Sequence, residues 1–243
     1  MIKFFRKIRQ NLLSEGKTGK YFKYAIGEII LVVIGILIAL SINNWNENRK
    51  SKRVADEIYR NLQNSLVQDS TEVQRIIKSH NKSLEVQKAL ILNEANHEPF
   101  EFYENNLNEL IEGISLGVFS FFPKTGIYNS IVSNNGMDLL KSKQIKTSLI
   151  NLYDHQYERY ANMDATIENK YHYQLLPVIT KKIGYVDNIN ESPDPLLFKE
   201  HHKELISECR NVHGILTSNR DLLIQISKEI NELLELIRTE LEK

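Results

Sequence analysis

From Ile29 to Ile42 the chain runs Ile-Ile-Leu-Val-Val-Ile-Gly-Ile-Leu-Ile-Ala-Leu-Ser-Ile, with no charge and with Ser41 as its one weakly polar member. Extended to Tyr24 and Trp45 this makes about 22 residues, which at ~1.5 Å per residue cross a hydrocarbon core of ~30 Å. Beyond it the apolar positions thin out and recur at helical intervals. Leu62, Leu66, Val73, Ile77, Leu84 and Ile91 repeat with an eleven-residue rhythm, which predicts one long helix from about Glu47 to Asn93. Asn96-His97-Glu98-Pro99 interrupts it, and Leu107, Leu110, Ile111 and Ile114 predict a second helix over about Phe100 to Leu116. A compact apolar stretch, Val118 to Pro123, precedes a short helix near Thr125 to Ser133 that stops at Asn134-Asn135-Gly136. Ser142 caps a longer helix with Leu149, Leu152, Tyr153, Tyr160, Met163, Ile167 and Tyr171 on one face, closed by Pro177. Gly184 to Pro195 reads as a loop. The final helix carries Leu216, Leu223, Ile226, Ile230, Leu233 and Ile237 at alternating spacings of three and four.

The pattern predicts an all-α protein: a single N-terminal transmembrane helix followed by an antiparallel helical bundle with long helices. Its parts are a basic amphipathic leader (residues 1–23), the transmembrane helix (24–45) and the bundle (46–243). Five prolines and ten glycines in 243 residues leave few breaks, which agrees with long helices. Lys+Arg and Asp+Glu balance at 31 each, but that neutrality is a sum of unlike parts. The first 23 residues hold Lys3, Arg6, Lys7, Arg9, Lys17, Lys20 and Lys23 against one acid, Glu15. In the leader, apolar positions at helical spacing between these charges suit a helix lying along an anionic leaflet. A leader so short is expected to hold no cytoplasmic catalytic module.

More basic residues precede the span than follow it, where Arg49, Lys50, Lys52 and Arg53 stand, so the positive-inside bias places the N-terminus in the cytoplasm and the bundle on the periplasmic side. Ala39-Leu40-Ser41 offers a signal-peptidase site as the competing reading. The long leader and unbroken apolar run favour an uncleaved signal-anchor. Glu28, Gly35 and Ala39 share a stripe on this helix, in which a carboxyl group within hydrocarbon and a small-xxx-small pair suit association with itself or another membrane protein.

Chemistry is sparsely signalled. His202, Cys209 and His213 align on one side of the final helix, at a spacing permissive for zinc or copper, with Gly214 breaking the helix beside the third. Their stripe also holds Ile206 and Leu216, so a core margin is the preferred reading and no metal or other cofactor is assigned. Glu94-Ala95-Asn96-His97 has half of a di-iron pattern without the second half. Gly16-Lys17-Thr18 lacks the first glycine and the strand of a phosphate loop. Cys209 and His213 have no orienting third group, so no catalytic residue is assigned. Phe119, Phe121, Phe122 and Tyr128, beside Pro123, form either a pocket or docking patch, or a plug at one end of the bundle. No basic stripe with interleaved aromatics implies nucleic acid.

The stretch from Phe22 to Leu40, Phe-Lys-Tyr-Ala-Ile-Gly-Glu-Ile-Ile-Leu-Val-Val-Ile-Gly-Ile-Leu-Ile-Ala-Leu, followed by Asn43-Asn44-Trp45-Asn46 and preceded by Met-Ile-Lys-Phe-Phe-Arg-Lys-Ile-Arg, resembles a family of bacterial single-pass membrane proteins classed as a domain of unknown function. Ser41 departs from the pattern, where Gln is expected. The resemblance implies topology and a helical fold, and supplies no activity, cofactor or site. The chain is therefore expected to be a non-catalytic interaction or scaffold protein of the cell envelope, partnered by the lipid bilayer and another membrane component. The alternative is a ligand-sensing helical domain that acts through a partner, with no small molecule indicated.

Overall fold

The computed structural model of the chain describes residues 18–95, 106–185 and 192–243. The leader up to Lys17, the Asn96–Pro99 break and the Glu94–His97 pattern fall wholly or partly outside them. Among the described residues every regular element is a helix and no strand occurs. The chain divides into two compact units, Met1–Val54 and Ala55–Lys243. The longest helix, α1 (Thr18–Ala95), contributes to both.

In the first unit, α1 is long and apolar enough to be a candidate membrane span, and none of the side chains in its most apolar window is buried. Ile29, Leu31, Ile38 and Ile42 are all exposed. Exposed apolar area of that extent is a liability in water and the normal condition in lipid.

The second unit begins with the remainder of α1. It continues with α2 (Leu107–Ser115), a 3-10 turn (Leu116–Val118), α3 (Gly126–Ser133) and a second 3-10 turn (Gly136–Leu139). Then come α4 (Lys143–Ile150), α5 (Tyr157–Lys170) and α6 (Pro195–Leu241). Several ends have legible causes. The Ser142 side chain accepts a hydrogen bond from the Ile145 amide and caps α4. Asp194 does the same for Leu196, with Pro195 at the first helical position of α6. After α3 the left-handed residue is Asn135 (φ 55°), while Gly136 is small because a Cβ there would press on the Ile131 carbonyl at 3.1 Å.

Hydrogen bonds fix the directions. Ser70 donates to Asn231, Gln74 to Ser227 and Arg220 to Asn81, so α1 and α6 run antiparallel. Tyr157 bonds Asp69 and Tyr171 bonds Ser83, a constant offset that sets α5 and its flanks parallel to α1. The chain from 106 to 142 returns along α1 between them, Ile114 beside Ser83 and Lys124 beside Asp69.

Two apolar clusters fill this unit. One joins Leu62, Leu66 and Ile76 with Leu149, Tyr160, Leu223 and Ile230. The other joins Leu84, Ile111 and Ile114 with Ile167, Leu175, Leu205 and Leu216. Each such buried aliphatic side chain contributes about 1.5–3 kcal/mol, so truncating Ile226 or Leu62 to Ala costs about 2–5 kcal/mol. Between the clusters each long helix buries a polar residue: His80 in α1, Asp164 in α5 and Asn219 in α6.

The eleven-residue rhythm on α1 marks interior positions, Leu62, Leu66, Val73, Ile77 and Leu84 being buried and Ile91 half-buried, but the deepest seam is Leu62, Leu66, Asp69, Val73, Ile76, His80, Ser83, Gln87 and Leu90, at alternating fours and threes. Its polar members bond the chain opposite, Asp69 the Lys124 amide, His80 the Phe119 carbonyl and Ser83 the Ile114 carbonyl. Three expectations are corrected. The second helix begins at Leu107. Pro177 does not close the fourth predicted helix, which continues to Lys182 through π windings at Tyr171–Leu175 and Val178–Lys182. Buried positions there recur every four residues (Ile167, Tyr171, Leu175, Ile179, Ile183), which drift by ~40° per step on an α-helix; the wider π turn keeps them inward and shifts the carbonyls from the register a proline ring strikes. Gly214 lies inside α6 without interrupting it.

Candidate functional site

After α2 the chain turns once and runs from Phe119 to Thr125 without helical hydrogen bonds, against the interior faces of α1 and α5. A buried backbone without internal partners must find them elsewhere, because an unpaired buried amide or carbonyl costs about as much as a lost hydrogen bond. The polar seam of α1 supplies them. Ser83 Oγ (2.8 Å) and Tyr171 OH (3.2 Å) both donate to the Ile114 carbonyl, filling its two lone pairs, and the Gln87 amide donates to both of those hydroxyls. His80 Nε2 donates to the Phe119 carbonyl at 2.9 Å. The Phe121 amide donates to Tyr160 OH (2.7 Å), which passes its own proton to Asp164 (2.9 Å). The Lys124 amide donates to Asp69 (3.0 Å), its carbonyl accepts from Ser65, and Tyr157 OH donates to the other Asp69 oxygen (3.1 Å).

Gly117 permits this closeness. A Cβ there would stand 1.9 Å from Tyr171 OH and 2.8 Å from Ser83 Oγ.

The fastening fixes four aromatic side chains in two environments. Phe121 and Tyr128 are buried: Phe121 packs edge-on against Tyr157 and Tyr160, and Tyr128 stacks on Tyr153 with centroids 4.4 Å apart. Phe119 and Phe122 face outward, 42% and 73% exposed. Phe119 carries the Arg75 guanidinium over its ring at 5.5 Å, and Arg75 is itself held by both oxygens of Glu72. The predicted aromatic set is therefore divided, Phe121 and Tyr128 packed inside and Phe119 and Phe122 exposed on the stretch.

Burial sets the protonation states. Desolvation raises the Asp69 and Asp164 carboxyls above the usual range, with Asp69 pulled partly back by the Lys124 amide and Tyr157. It pushes Tyr128 up to about 12, assisted by its bond to Asp154, and raises Tyr157 and Tyr160 further. These phenols are donors at neutral pH, not bases. His80 is held neutral by burial, its Nδ1 without a hydrogen-bond partner.

The metal-spaced residues are placed apart in role. Cys209 is core, its thiol pushed up to about 12 by burial. His202 Nδ1 bonds the Lys199 carbonyl. Among the described residues no three His, Cys, Asp or Glu side chains converge as a metal site. On α1, Gly35 and Ala39 are exposed and the space about Gly35 is open, with Glu28 partly exposed on the same face. The sequence pattern did not single out Ser65, Asp69, His80, Ser83 and Gln87; for the last four the available signal was their 3–4 spacing in register with Leu62, Leu66 and Ile76.

A family model described as a family of unknown function, DUF6090, matches residues 28–184. The chain belongs to that family. The DUF6090 match takes in the apolar run from Glu28, the fastened stretch and every side chain that holds it, and stops before α6. No curated protein and no solved structure matches the chain.

Proposed function

We propose that the chain is a non-catalytic interaction or scaffold protein of the cell envelope, fixed in a membrane by an uncleaved signal-anchor, with its N-terminus in the cytoplasm. The second unit is an antiparallel helical bundle on the periplasmic side, α6 entering it through a coiled-coil-like seam, and it engages another envelope component through Phe119 and Phe122. The observation that carries this reading is that the fastened stretch exposes Phe119 and Phe122, which we read together as a docking ledge. Six buried polar side chains of α1 and α5 are committed to holding one non-helical stretch, and what that stretch presents outward is a pair of large apolar rings, the residue type that dominates contact energy at protein interfaces. Pre-fastening also reduces the ordering cost of docking.

The test pairs location with contact. The protein should resist alkaline carbonate extraction of membranes, and Phe119→Ala with Phe122→Ala should lose a stoichiometric copurifying protein while leaving the melting temperature unchanged. Retention of that protein by the double variant would overturn the docking role.

The alternative, ligand sensing through a partner, is favoured by one feature. A polar groove of about 830 Å³ lies between α4 and α6, lined by Gln144, Ser148, Asn151, Glu229, Glu232 and Glu235 among others. A ligand-dependent rise in melting temperature that Glu232→Gln abolishes would support that function instead.

A further inference from the structure

Past Ile42 the first unit turns polar within one helical turn, Asn43-Asn44-Trp45-Asn46, and then basic, Arg49, Lys50, Lys52 and Arg53 falling within five residues. All are exposed on α1. Trp45 and Arg49 are one turn apart, and the Arg49 guanidinium lies over the indole ring at 5.6 Å from its centroid. The contact holds a delocalised cation against the ring whose ordinary place is the boundary between hydrocarbon and headgroups. Lys50 is drawn back to Glu47 at 3.2 Å. Arg49, Lys52 and Arg53 then leave the collar strongly positive within about 12 Å of the indole, close to a Debye length at physiological salt. Guanidinium groups match phosphate oxygens bidentately, and a basic segment beside a span is attracted to anionic leaflets.

We infer that Trp45, Arg49, Lys52 and Arg53 form a binding collar for the phosphate headgroups of anionic phospholipids, in the leaflet at the C-terminal end of the apolar run. The charge has one complementary surface within reach of an anchored helix, and the collar continues directly from the apolar run. The inference rests on the membrane-anchored reading.

Trp45 is the only tryptophan in the chain, so its fluorescence reports on the collar alone. The full chain is reconstituted in phosphatidylcholine vesicles holding about one part in five phosphatidylglycerol, enough for a surface potential. Bromine quencher is carried on the acyl chains of either lipid in equal amount. Quenching by the brominated phosphatidylglycerol should exceed that by the brominated phosphatidylcholine by about twofold or more. Arg49→Gln, Lys52→Gln and Arg53→Gln together should equalise the two while quenching persists. The leader stays intact in that variant, so a preference surviving it overturns the collar. Equal quenching of the parent chain by both lipids also overturns the collar and leaves the anchor standing. Absence of quenching by either lipid overturns the anchor and the collar with it.

Discussion

Replacing Asp69 by Leu tests whether the polar seam exists to hold the Phe119–Thr125 stretch. Asp69 is fully buried and accepts from two donors, the Lys124 amide and Tyr157 OH. Leu is of similar size and strands both donors, each at about 1–3 kcal/mol, while relieving the desolvation of a buried carboxyl; the net loss is about 2–4 kcal/mol. At about 2–4 °C per kcal/mol for a chain of this size, the melting temperature should fall by about 5–15 °C. Asp69→Asn keeps an oxygen for the Lys124 amide and an amide for the Tyr157 oxygen, so it should stay within about 1 kcal/mol of the parent at neutral pH. The two also differ in pH response. Burial raises the Asp69 pKa in the folded state above 3.8, so the folded protein holds the proton more tightly than the unfolded chain. That contribution to stability is greatest in acid and declines as pH rises from about 3.8 through the raised folded pKa, then levels off. Asp69→Asn should remove this component. Circular dichroism melts of the full chain in detergent measure stability, and hydrogen exchange at the Lys124 amide locates the effect, with faster exchange expected in Asp69→Leu. A Leu variant as stable as the parent, with Lys124 still protected, would refute the reasoning.

Gly117→Ala should cost about 1–3 kcal/mol, because its methyl displaces Tyr171, and Tyr171→Phe should partly relieve it; additive losses in a double-mutant cycle would show that the two do not meet. His80 has a depressed folded pKa, so stability should be full above its ordinary 6.5 and fall as pH drops below that value, a slope that His80→Gln should flatten in melts between pH 8 and 5. Asn219 buries both amide atoms without hydrogen-bond partners, and Asn219→Leu should stabilise by about 1–2 kcal/mol; a loss instead would mean the amide is bonded in the folded protein. Gly35→Ile should weaken crosslinking between copies or to a membrane partner, and unchanged crosslinking would remove Glu28, Gly35 and Ala39 as an association face.

The apolar run, the 3–4 periodicity of α6, the Ser142 cap and the turn at Asn135 were readable because each is written in adjacent residues. Asn219 hid in the same periodicity, a polar residue where the pattern of Leu216 and Leu223 asks for an apolar one. The polar members of the α1 seam were missed for a related reason, while its apolar positions Leu62, Leu66 and Val73 were found. His80 and Ser83 bond the Phe119 and Ile114 carbonyls, each more than thirty residues away, and Gln87 bonds the hydroxyls of Ser83 and Tyr171, partners that no local pattern announces. At Pro177 a strong local rule yielded to four-residue spacing of buried side chains that a π winding accommodates. Phe119, Phe121 and Phe122 could be identified as a group but not divided, since strict alternation would put Phe119 and Phe121 on one side, whereas packing buries Phe121 alone.

Whether the fastened stretch is a docking ledge is most directly tested by a photo-crosslinking amino acid at position 122 in the full chain in native membranes, compared with position 173, where Tyr173 is 79% exposed on a π winding outside the stretch. A single adduct of defined mass at 122 and none at 173 is the expected result. No adduct at 122, or the same adducts at both positions, would contradict the account.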